Sequence, residues 1–234
     1  MSDADALLAA VLAGPDADLP RLVYADWLEE REEAARAEFI RVQVELAHER
    51  GADAERMIEL RAREAALLAV HGERWLAPLR EPGAPLDGLT ASHGMFRRGF
   101  VEVVWMPARR FLREADRLFR LAPVRELRVT QATWLDVYEL VGSAPFARLA
   151  GLDLSDHNLG VIASEMFTRV PAVAGLRVLR LRGCNLTDRA AQGLAAAPKR
   201  SRSAASPASL SGLWLTSSSR SGQGNGAAVR FEGA

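Results

Sequence analysis

The side chains able to do chemistry are few, and their spacing assembles no reaction centre. Four histidines, His48, His71, His93 and His157, are scattered without a His-Glu-x-x-His pair. The single cysteine, Cys184, has no second thiolate with which to complete a multi-cysteine zinc set. It also has no partner for an internal disulfide, a usage that points to a reducing compartment. The only lysine, Lys199, follows Pro198, so no phosphate-cradling loop surrounds it. The run Gly222-Gln223-Gly224-Asn225-Gly226 follows no clear strand and opens no helix, and no Gly-x-Ser-x-Gly elbow is present. The expectation is a protein that is not an enzyme, with no catalytic residue, no metal and no cofactor.

Binding residues are better represented. Tyr24-Ala25-Asp26-Trp27 lies near Arg21, Arg41 and Gln43 in sequence. Two readings stand side by side: a carboxylate–arginine pair linking helices, or a docking site built on the Tyr, Trp and Arg that favour interface hot spots. Charge is neutral in total, with 30 basic and 30 acidic residues, but uneven along the chain. Met1 to Leu46 holds 11 acids against 4 arginines, whereas Arg97 to Arg128 holds 9 arginines against 4 acids. Such runs are either solvated helix faces or charged docking surfaces. The second run is the basis of an alternative reading, nucleic-acid binding, which the neutral total and the lack of interleaved aromatic residues argue against.

The elements that must position these residues begin with helices. Ser2 and Asp5 have capping-box spacing ahead of an apolar stripe, Leu7, Leu8, Val11 and Leu12, that stops at Gly14-Pro15. A second helix opens at Pro20, with Leu19, Leu22, Val23 and Trp27 inward and Arg21, Glu29, Glu30 and Arg31 toward water. A third runs from about Ala34 to His48 and ends at Gly51, and a fourth from about Asp53 to Val70. Arg80 to Thr90, rich in Pro and Gly, reads as a linker. Gly99 to Met106 has strand composition, entered by a hairpin through Ser92-His93-Gly94, and Arg109 to Phe119 is strongly amphipathic.

Beyond this point the chain repeats. Val124-x-x-Leu127-x-Val129-x-x-Ala132, Leu149-x-x-Leu152-x-Leu154-x-x-His157 and Leu176-x-x-Leu179-x-Leu181-x-x-Cys184 share one template at steps of 25 and 27 residues. Alternate leucines enter a core from each strand, and the last template residue turns inward to bond backbone groups. Helical fillers are expected at Trp134 to Val141 after Thr133, at about Val161 to Thr168, and at Asp188 to Ala197. This resembles leucine-rich repeats of the ribonuclease-inhibitor-like type, with Ala132 and His157 departing from the usual Asn or Cys. Leu210-x-x-Leu213-x-Leu215 fits half a fourth unit. The Ser-, Gly- and Arg-rich stretch around it is either a disordered tail or the product of a lost reading frame near Lys199.

In the first half, Leu19-Pro20-Arg21-Leu22-Val23-Tyr24-Ala25-Asp26-Trp27-Leu28-Glu29-Glu30-Arg31, followed by Ala37-Glu38-Phe39-Ile40-Arg41-Val42-Gln43, resembles the bacterial repeat-companion domain. Weaker echoes continue through Trp75 and Gly99 to Val103. That family ordinarily turns through Gly-Asp where this chain has Glu32-Glu33-Ala34-Ala35, so the second and third helices are expected to join differently. The two resemblances imply an α/β protein in which a helical bundle precedes a short solenoid of parallel strands backed by helices.

The expected organisation is a helical domain over 1–80, a linker, hairpin and amphipathic helix over 81–120, repeats over 121–198, and a tail over 199–234. No apolar run approaches a membrane span, and the acidic start does not suit a secretion signal, so a cytoplasmic protein without membrane contact is expected. The expected function is protein–protein interaction through the open strand face: Glu126, Arg128 and Thr130, then Gly151, Asp153 and Ser155, then Val178, Arg180 and Arg182.

Overall fold

The computed structural model describes residues 2–48, 54–89, 93–158, 173 and 175–184, together with the strand backbones at 213–216 and 227–231. The described residues form an α/β protein with six helices and a sheet whose first four strands run parallel. Two compact units divide the chain: 1–104 with 116–124, and 105–115 with 125–234.

In the first unit, α1 (Asp3–Ala13) begins with the expected capping box between Ser2 and Asp5. Helix α2 (Leu19–Glu29) reaches α3 (Ala34–His48) through a tight turn in which Glu32 takes φ +64°, a conformation glycine adopts freely. Helix α4 (Ala54–Arg80) runs ten residues past the expected end, carrying Pro78 in its last turn. The apolar side of α2 differs from expectation. Leu19 and Val23 are exposed, while Ala25, Leu28 and Arg21 are buried, Arg21 completely. Val11, Ala25, Leu28, Ala37, Ile40, Val44 and Phe100 form one core cluster, with Leu22, Tyr24 and Trp27 packed against it.

A hairpin turns at Arg98-Gly99 between β1 (Phe96–Arg97) and β2 (Phe100–Val101), and His93–Met95 ahead of it form a single 3-10 turn. Both turn residues have positive φ, +47° and +85°, as a two-residue turn matched to strand twist requires. Ser92 and the expected helix end at Gly51 lie outside the described residues.

The boundary between units passes through β3 (Val103–Met106) and α5 (Ala108–Leu121). The sheet continues with β4 (Glu126–Val129), β5 (Gly151–Asp153) and β6 (Val178–Leu181), in sequence order. Leu127, Leu152 and Leu179 lie side by side in register, as the repeat template requires. Along β4 and β6, inward residues are buried and their neighbours partly open. Helix α6 (Trp134–Gly142) is capped by Thr133 and Asp136. The other two filler helices fall outside the described residues. The half repeat unit around Leu213 and Leu215 does not add a parallel step: β7 (Leu213–Thr216) pairs antiparallel with β8 (Ala227–Phe231), and β8 pairs antiparallel with β6.

Candidate functional site

The polar face of the parallel sheet gathers the residues expected to bind. Register aligns Glu126 with Gly151 and Val178, and Arg128 with Asp153 and Arg180. The charges are not arranged as separate patches. Glu126 Oε1 accepts from Arg128 Nε at 3.0 Å and from Arg180 Nη1 at 2.6 Å, so one half-buried carboxylate serves guanidinium groups on both sides of β5.

Gly151 makes this crossing possible. A Cβ there would stand 3.0 Å from Glu126 Cγ and 3.4 Å from Glu126 Oε2, so the side chain of Glu126 occupies the space above the glycine. Two further residues complete the face. Arg128 lies over the Trp105 ring, 5.5 Å from its centroid, and the Trp105 indole N–H is buried without an acceptor among the described residues. Asp153 Oδ1 accepts from the Ser155 N–H at 3.0 Å, which fixes that carboxylate at the strand end. Thr130 is exposed, and exposed Arg182 approaches Asp156 at 3.8 Å.

Leucine spacing points to the face but not to the shared acceptor, the glycine gap or Trp105. A glycine flanked in register by an acid, with arginines on either side, is the sequence signal for the first two.

Behind the face, Cys184 holds the expected inward position. Its Sγ donates to the Leu154 carbonyl at 3.0 Å, and burial pushes the thiol up to about 11, well above a reactive value. His157, at the same template position, instead closes its own turn, with Nδ1 3.1 Å from the Leu154 carbonyl and 3.0 Å from that of Ser155.

In the first unit, the Tyr24–Trp27 segment takes the helix-linking role. Arg41 donates to Asp26 at 2.7 Å and Glu29 at 2.6 Å, joining α3 to α2. Arg21, expected to face water, is instead enclosed. It donates to the Arg98 carbonyl at 3.1 Å and the Pro15 carbonyl at 2.8 Å, and pairs with Glu102 at 2.9 Å. Burial lowers its pKa to about 10 against the opposing pull of Glu102, still charged at neutral pH. Arg36 acts beside it, enclosed by Phe39, Trp75, Phe96 and Phe100 and donating to the Gly99 carbonyl at 2.5 Å. Gln43 completes the grip by accepting from the Gly99 N–H at 2.8 Å. These three side chains hold the hairpin turn against the helices because its backbone groups have no ladder partners there.

Several of the arginines between Arg97 and Arg128 are similarly occupied. Arg98 donates to Asp18, Glu102 and two carbonyls, Arg109 to Asp136, and Arg117 to the Gly83 carbonyl. They are also divided between the two units. Among the described residues, no group of three or more His, Cys, Asp and Glu is disposed to hold a metal ion. No described helix is long and apolar enough to cross a membrane. Comparison with models of known families, with curated proteins and with solved structures finds no match.

Proposed function

We propose that this chain is a non-catalytic protein-interaction module of the bacterial cytoplasm, in which a repeat-companion-like unit precedes a short leucine-rich-repeat solenoid. Its recognition surface is the sheet face carrying Glu126, Arg128, Thr130, Asp153, Ser155, Arg180 and Arg182. The observation that supports this reading most is the in-step pairing of β4, β5 and β6, which sets Leu127, Leu152 and Leu179 in the core and leaves Arg128, Asp153 and Arg180 in one outward row. The mixed signs on the face favour a polar protein surface selected by matched charges over a polyanion selected by net charge.

Quantitative co-purification from a bacterial lysate, comparing the full chain with its Asp153→Ala/Arg180→Ala/Arg182→Ala form, tests the proposal. Loss of specific partners from the triple variant, with unchanged circular dichroism, is the expected result; equal recovery moves the site off this face. Binding to DNA and RNA at low salt tests the alternative, against which the internal engagement of Arg98, Arg109 and Arg117 weighs.

A further inference from the structure

Two guanidinium groups converge on one carboxylate at the centre of the parallel sheet face. Arg128 on β4 and Arg180 on β6 reach Glu126 Oε1 from opposite sides of β5, the first through Nε and the second through Nη1. Among the described residues these are the only hydrogen bonds or ion pairs that either guanidinium makes. The remaining N–H groups are left to water or a ligand. Solvent also reaches the cations more readily than the acid: the Arg128 and Arg180 side chains are 34% and 35% exposed, that of Glu126 17%.

Two cations held on one anion leave one positive charge in excess. Asp153 lies between Arg128 and Arg180 in the register row, yet it pairs with neither among the described residues, its Oδ1 accepting instead from the Ser155 N–H. The pair is also fixed in place, because Arg128 stacks over Trp105 and Glu126 fills the gap above Gly151. Little ordering entropy is then lost when a ligand binds.

The chemistry that this excess selects is a single carboxylate. Guanidinium groups match its two oxygens and form short, charge-assisted bonds with them. A phosphate dianion fits the same fork but overshoots the excess charge and meets Asp153. A basic segment meets the arginines as like charges. We propose, resting on the recognition role given to this face above, that Arg128 and Arg180 together bind an aspartate or glutamate side chain of an acidic protein segment. Glu126 is the resident carboxylate that holds the two guanidinium groups together and limits their affinity for a second one.

Titration of the full chain at low salt with a blocked hexaglutamate peptide, followed by calorimetry and by tryptophan fluorescence, is the test. Arg128→Ala and Arg180→Ala should each weaken binding about fivefold more than Arg113→Ala, which removes an equal charge from exposed α5 in the same unit. Glu126→Gln keeps an acceptor but removes the resident charge, and should tighten binding about fivefold, a gain that a purely structural Glu126 would not give. Trp105→Phe should remove the fluorescence change while calorimetric binding persists. Circular dichroism checks each fold, and Arg180→Gln, which keeps a donor for Glu126, replaces Arg180→Ala if that variant unfolds. No binding by the wild-type chain overturns the inference, as do Arg128 and Arg180 variants no weaker than Arg113→Ala, no gain in folded Glu126→Gln, or tighter binding of a phosphoserine peptide of equal length. Partners lost from the Asp153→Ala/Arg180→Ala/Arg182→Ala form would in that case still uphold the recognition face, so the two failures are separable.

Discussion

Replacing Gly99 by alanine isolates the contact on which the first unit's hairpin depends. A Cβ at this position would stand 2.4 Å from Ile40 Cγ1 and 2.8 Å from the Ile40 Cα, far inside van der Waals contact, on a backbone with φ +85°. The left-handed conformation costs an L-residue about 1–2 kcal/mol. Forcing a methyl group into the occupied space adds about 1–3 kcal/mol. Reduced freedom of the unfolded chain returns about 0.4–1 kcal/mol, for a net loss of roughly 3 kcal/mol. Gly83 is the matched control, because it has φ +77° but nothing within 4 Å of the point where a Cβ would stand. Gly83→Ala therefore carries the backbone cost alone, roughly 1 kcal/mol. Urea unfolding followed by far-ultraviolet circular dichroism measures both, and the expected difference is about 2 kcal/mol at unchanged denaturant slope. Trimming Ile40 to alanine in the Gly99→Ala background should make the combined cost less than the sum of the separate ones. Equal losses for the two glycines would refute the argument, since the contact with Ile40 would then contribute nothing.

Three other outcomes are expected. Cys184, with its thiol near 11, should resist alkylation in native protein at pH 8 and react fully in denaturant; rapid native labelling would remove it from the inward position. Arg109 and the Thr133 backbone hold the Asp136 carboxyl well below its usual range, at about 2. Because the folded value lies below the unfolded value of about 3.9, the pair's stabilisation is present above pH 4 and lost as pH falls toward 2. Asp136→Asn should flatten that part of the stability–pH curve, and an unchanged curve would refute the assignment. Asp26→Ala should cost less than about 1 kcal/mol in thermal or urea unfolding, because its pair with Arg41 is largely exposed.

Local chemistry carried much of this architecture in readable form. The Ser2–Asp5 and Thr133–Asp136 boxes need only neighbouring residues, and both form. The leucine spacing likewise placed β4, β5 and β6 and the inward cysteine, because a period-two pattern repeated at near-constant steps leaves one side of each strand to bury. Arg21 could not be read this way. Its burial is decided by Arg98 and Glu102, about eighty residues away, whose carbonyl and carboxylate replace lost water. The outward exposure of Leu19 and Val23 follows from the same rotation of α2. The sheet face shows both sides of the distinction. Alternation determined which side chains point outward, but only the stacking of three strands put Gly151 between Glu126 and Arg180, opening the gap that lets one carboxylate reach two arginines.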